Sequence, residues 1–146
     1  MKNICGECTL CCELFPVPAV NKKANELCKY CVLKKGCSIY NHRPKGCLGF
    51  DCAWLQMKKK GLNPSVELRP DKCKVIFEKI NDKLFFGTQD TRYDLTDAAK
   101  GQINSFVKQG FSVILSFNQV HRYHLAKNHT IEQVNKWLDN FLEVKK

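Results

Sequence analysis

Nine of the ten cysteines in this chain lie between Cys5 and Cys52, and no other feature constrains its folding as strongly. They form three groups: Cys5, Cys8, Cys11 and Cys12 in the spacing CxxCxxCC; Cys28 and Cys31 as a CxxC; and Cys37, Cys47 and Cys52. Two cysteines separated by two residues wrap one metal because a tight turn aims both sulfurs inward. A third at the same interval matches the loop that grips three corners of an iron–sulfur cubane. A single CxxC carries little information. Its repetition at 5/8, 8/11 and 28/31, with the related pair 47/52, carries much more.

The residues around these cysteines make a cross-link or a metal necessary. Residues 1–60 are rich in Cys and Lys and contain few runs of Val, Ile, Leu or Phe. A segment of that size with so little to bury rarely folds without disulfides or metal. The start, MKNICGECTLCC, has no apolar h-region and no small-residue cleavage site, so it does not read as a signal peptide. No stretch reaches the roughly 18 apolar residues of a membrane span. The expectation is a cytoplasmic chain with no membrane partner, where dense cysteine binds metal more often than it forms disulfides.

All nine cysteines, Cys5, Cys8, Cys11, Cys12, Cys28, Cys31, Cys37, Cys47 and Cys52, are therefore candidate metal ligands. Thiolate-only ligation suits zinc and iron–sulfur clusters and argues against magnesium, calcium or manganese. CxxCxxC favours a 4Fe–4S cluster, although the proline that often follows the fourth ferredoxin cysteine is missing. Cys28 and Cys31 suit structural zinc equally well. Nine thiols fill two four-ligand sites with one left over, or one cubane with spares; spacing leaves both open. In an extended chain Cys11 and Cys12 point to opposite sides, which assigns one to a first site and the other to a second or to the interior.

The formal charge of +10 first suggests nucleic acid or an anionic surface. Metal-bound cysteine is thiolate, however, and two four-thiolate sites would lower the charge to about +6. Nucleic acid is thus a weakly supported partner.

The second half is conventional. After a loop at 61–70, Cys73–Ile80 alternates as a strand, with Cys73, Val75 and Phe77 on one face. Asn81-Asp82 is the turn and Lys83–Gly87 the returning strand. A helix begins near Thr96 or Asp97, carries Ala99, Ile103, Phe106 and Val107, and stops at Gly110. Phe111–Phe117 is a short apolar strand paired with Gln119–Ala126. Thr130 and Gln133 form a capping box for a last helix with Ile131, Val134, Leu138, Phe141 and Leu142 on one face. The expected fold class is α+β: an irregular, metal-stabilised cysteine-rich N-terminal half packed on a small antiparallel sheet with two helices. The expected division is a cysteine-cluster region, 1–60, and an α+β region, 61–146, packed as one domain.

The segment Gly36-Cys37-Ser38-Ile39-Tyr40, then Arg43-Pro44 and Cys47, placed after CxxCxxCC, resembles the YkgJ-type cysteine-cluster family, described as a zinc- or iron-chelating domain. Phe50-Asp51-Cys52-Ala53-Trp54-Leu55 and Leu68-Arg69-Pro70-Asp71 are similar to a short bacterial subgroup with extra cysteines. The resemblance covers about residues 5–80 and implies a metal site without a reaction. Flagellin lysine methylases carry a similar cluster, but the Gly-rich cofactor loop is missing here. Within the motif, Arg43 and Tyr40 are candidates to donate hydrogen bonds to thiolates or sulfides, and Pro44 fixes the chain entering the Cys47 loop.

Outside the cluster, Cys73 reads as a small buried hydrophobe. His42 reads as a surface loop residue and His121, His124 and His129 as exposed histidines. Lys58-Lys59-Lys60 reads as a solvated helix end. The chain lacks a phosphate loop, a Gly-x-Ser-x-Gly elbow and an HExxH helix, so no catalytic constellation is recognised. Three functions follow in order: a metal-binding protein, an iron–sulfur redox protein or enzyme component, and a zinc-stabilised nucleic-acid-binding module.

Overall fold

The computed structural model describes residues 5–144. It divides into two compact units, Met1–Lys72 and Cys73–Lys146.

The first unit is built from turns and very short elements. Helix α1 (Leu10–Leu14) buries Leu10 and Leu14. A 3-10 turn at Pro18–Val20 follows, and its loop is closed by the bridge between Val17 and Lys22. Strands β1 (Cys31–Val32) and β2 (Gly36–Cys37) pair antiparallel, with Cys31 opposite Cys37. Gly36 sits at φ +107°, a conformation that glycine adopts without a Cβ penalty, so it can close this hairpin. After a 3-10 turn at Tyr40–His42 come α2 (Lys45–Leu48), α3 (Ala53–Lys59), a 3-10 turn at Val66–Leu68 and α4 (Pro70–Cys73). Helix α3 buries Ala53, Trp54 and Leu55, and the Trp54 indole N–H donates to the Ser65 carbonyl at 3.0 Å.

The second unit is a four-stranded sheet in the order β3 (Val75–Asn81), β4 (Leu84–Gln89), β5 (Ser112–Phe117) and β6 (Val120–His124). The β3–β4 hairpin turns at Asp82-Lys83, where the Asn81 side-chain oxygen accepts from the Lys83 N–H at 2.8 Å. Helix α5 (Asp97–Lys108) connects β4 to β5, and α6 (Ile131–Val144) follows β6. Thr96 caps α5 by accepting from the Ala99 N–H. Gly110 at φ +96° takes the left-handed turn after its end. The capping box on α6 is formed: Thr130 Oγ1 accepts from Gln133 N–H at 3.2 Å, and Gln133 Oε1 from Thr130 N–H at 2.9 Å.

Each face of this sheet is covered by a helix. On one face Leu84 and Ile114 pack with Val134 and Leu138 of α6, flanked by Ile80, Phe86, Tyr123 and Trp137. On the other, Phe106 of α5 stacks on Phe85 at 3.9 Å between ring centroids and meets Phe77 edge-on. Gly87 keeps this face open, because a Cβ there would lie 3.0 Å from the Phe77 ring.

Several expectations need correction. The sheet is mixed, not antiparallel: β4 and β5 run parallel, because the chain between them passes through α5. Cys73 closes α4 and lies outside the strand, although it is buried as expected at 1% exposure. On α6 the buried stripe is narrower than the sequence pattern suggests, with Ile131 and Leu142 exposed. Of the three late histidines only His121 is exposed; His124 is half-buried, and His129 bonds the buried Ser112 hydroxyl at 2.7 Å.

Candidate metal centre

All nine candidate ligands fall in the first unit, and each is half-buried. Backbone hydrogen bonds tie several of them together. Cys28 N–H donates to Cys12 O at 3.0 Å, and Cys31 N–H to Cys28 O at 2.9 Å. The β1–β2 ladder then sets Cys37 opposite Cys31. Cys8 N–H donates to Cys5 O at 3.1 Å, the turn expected of a CxxC.

The Cys11 and Cys31 thiols both influence the titration of Cys12. The vicinal pair therefore does not split to opposite sides as an extended chain would require. Both residues lie on α1, where neighbours are about 100° apart, and both belong to the same set of sulfurs. Cys47, carried by α2, stands within electrostatic reach of Cys12, Cys28 and Cys37. Asp71 and Cys52 both push the Cys8 thiol up.

Seven of the thiols are pushed toward their protonated form. Burial pushes Cys8 and Cys31 up to about 12 and Cys52 up to about 11. Cys12 is raised by its bond with Cys11 and by burial, and Cys5, Cys37 and Cys47 are raised chiefly by burial. At neutral pH they are thiols, so a metal entering here would have to displace protons.

Cations surround the sulfurs. Lys22 is 6% exposed, and its ammonium donates to the carbonyls of Phe15 and Lys23. Burial lowers its pKa, against the opposing influence of Cys28, Cys12 and Cys11. Sequence reasoning missed Lys22, which stands in a polar tract beside Lys23 with nothing periodic to mark it. The Arg43 guanidinium stacks on the Tyr40 ring at 3.8 Å, and its Nε donates to the Tyr40 carbonyl at 2.9 Å. Its charge also acts on Cys5, Cys37 and Cys47. Arg69 grips Asp71 through two hydrogen bonds, at 2.5 and 2.7 Å. Burial works to raise the Asp71 carboxyl, but the bonds and charge of Arg69 outweigh it and hold the group below the usual carboxylate range. His42 is exposed.

The donor set suits a thiophilic metal in type and in grouping. Its geometry is not already that of a coordination shell. Among the described residues, no three His, Cys, Asp or Glu side chains stand in an arrangement that holds a metal ion. No described helix is long and apolar enough to cross a membrane. No protein-family model, curated protein or solved structure matches this chain.

Proposed function

We propose that the first unit is a metal-binding module whose cysteines hold zinc or an iron–sulfur cluster. The observation that carries this reading is a mismatch between core and donors. The unit gathers nine half-buried cysteines, yet its buried apolar side chains among the described residues are only Leu10, Leu14, Ala53, Trp54, Leu55 and Pro70. So small a core needs help, and a metal drawing four thiolates together supplies it. The resemblance of the GC-x-I-Y-x-x-R-P-x-x-C segment to the YkgJ-type family supports the same reading. A cytoplasmic, reducing setting suits it too, since the thiols must stay reduced to bind.

Within this reading the residues divide the work simply. The cysteines would hold the metal as thiolates, each giving up its proton. Lys22 and Arg43 offset the negative charge that accumulates, and the Arg43–Tyr40 stack keeps that cation in place. A bound metal supplies fixed bonds between distant turns or, as an iron–sulfur cluster, an electron site. The test is to purify the protein without air, record its visible spectrum, and measure zinc, iron and acid-labile sulfide. Stoichiometric zinc, or iron with sulfide, is expected. Protein that carries neither, and takes up neither after reduction, overturns the proposal.

A further inference from the structure

Strands β1 and β2 set Cys31 directly opposite Cys37. On the side of this pair away from the turn, the Ser38 N–H donates to the Tyr30 carbonyl at 2.7 Å. The bond joins the flanking residues and not Cys31 to Cys37, which makes theirs the closer kind of antiparallel pair, with Cα atoms about 4.5 Å apart. A disulfide spans Cα separations of about 4.4–6.8 Å, so the backbone already meets that requirement. Residues opposite one another in a ladder also share a face, and their Cβ atoms point the same way. The turn itself is held by the Lys35 N–H donating to the Val32 carbonyl at 2.9 Å and by Gly36 at φ +107°. Both cysteines are half-buried, and residues 32–35 beside them are exposed. Among the described residues, no other two cysteines are paired across a strand ladder.

We propose that Cys31 and Cys37 form a reversible disulfide across the hairpin, and that this bond withdraws both sulfurs from the metal, which binds thiolate. The disulfide stands on the ladder alone. Its competition with metal rests on the metal-binding reading above and gives that site a redox control. The oxidant is an anionic low-molecular-weight disulfide, a class that the exposed Lys34 and Lys35 attract. One cysteine, as thiolate, attacks a sulfur of that disulfide, breaking its S–S bond and releasing one small thiol. The second cysteine attacks the resulting mixed disulfide, forms the Cys31–Cys37 bond and releases the other small thiol. The two cysteine protons end on the two released thiols, and the electron pair that the cysteines lose reduces the small disulfide. An excess of the small thiol reverses both steps and restores both ligands. Burial raises both cysteine thiols, so exchange is slow at neutral pH and the state of the pair is read at equilibrium with the thiol pool.

The test uses the reduced, metal-free full-length protein, equilibrated in glutathione buffers of increasing oxidised fraction. Remaining thiols are alkylated and the chain is cut with trypsin. Cleavage after Lys29, Lys34 and Lys35 puts Cys28, Cys31 and Cys37 on three different peptides. The first link to appear should join the Cys31 peptide to the Cys37 peptide, and dithiothreitol should release it. Cys28 and Cys12 are the rival partners of Cys31, since Cys28 precedes it in a turn and bonds the Cys12 carbonyl through its own N–H. A link from Cys31 to either of them ahead of Cys37, or no link between Cys31 and Cys37 in any buffer, overturns the disulfide. After glutathione is removed, zinc(II) uptake should fall in step with the linked fraction and return on reduction. Zinc-loaded protein should keep the pair reduced in a buffer that links it in the metal-free protein. Equal zinc uptake by linked and reduced protein overturns the competition and leaves the disulfide standing. Reduced protein that takes up no zinc overturns the zinc reading and the competition with it, and the peptide map then decides the disulfide by itself.

Discussion

The two units of this chain reach a folded state by different routes. The second has a four-stranded sheet with a helix on each face, and its interior is filled by Leu84, Ile103, Phe106, Val113, Ile114, Leu115 and Val134. The first has a two-stranded hairpin of two residues per strand, helices of seven residues or fewer, and a small buried apolar set around Trp54. Helices that short are not stable by themselves, because nucleation costs more than a turn or two returns. On the proposed reading, metal chemistry supplies in the first unit what packing supplies in the second. In the second unit a side chain matters by its volume, and in the first by its sulfur or its charge.

The sharpest way to break that comparison is to damage the second unit. Ile114 is fully buried between β4 and β6, so Ile114→Ala should cost about 2–5 kcal/mol, with melting confined to the second unit and bound metal unchanged. A fall in metal content would show that the sheet also supports the cysteines. Lys22→Met tests the opposite side. It leaves the Phe15 and Lys23 carbonyls without their buried donor, and about 1–3 kcal/mol should be lost from the first unit alone. Thermal melts with hydrogen exchange would locate that loss. Thr130→Ala removes the α6 cap and should cost about 1 kcal/mol, read as a lower midpoint for the second unit. Cys73→Ser should change metal content not at all, since its thiol donates to the Val75 carbonyl at 3.3 Å inside the second unit. Loss of metal in that variant would make Cys73 a ligand.

A pH titration sharpens the contrast further. In the reduced, metal-free protein Cys8 and Cys31 are raised from 9.0 to about 12. Groups raised on folding contribute stability below their unfolded value and lose it as pH climbs through the folded one. The first unit should therefore weaken between about pH 9 and 12, with thiolate absorbance rising later in the folded protein than in denaturant. Metal affinity should move the other way at lower pH, increasing as pH rises because each ligand must shed a proton.

Much of the second unit was legible in the sequence, because its signals are local. Thr130 with Gln133, Thr96 before α5 and Gly110 after it all appear where their residue types demand, while the first hairpin turns at Asp82-Lys83, one residue later than Asn81-Asp82. Strand direction was not legible in the same way, since it belongs to pairs of distant segments. Even so, the unbroken apolar run Val113-Ile114-Leu115 after a helix is the pattern of a buried parallel strand. Its neighbour β6, with Val120 exposed, lies at the sheet edge. In the first unit the cysteines announced themselves, but their grouping did not follow their spacing. Cys11 and Cys12 lie on α1, which begins at Leu10, and not in an extended segment. Lys22 and Asp71 acquire their places only from the bridge to Val17 and the paired bonds from Arg69.

The central claim is that metal on the cysteines holds the first unit together while the second stands on its own core. Hydrogen exchange on the reduced full-length protein, with metal bound and after chelation, tests it most directly. Residues 5–72 should lose protection on chelation, while β3–β6 and α5 keep theirs. Unchanged protection across residues 5–72, or an equal loss across both units, would contradict it.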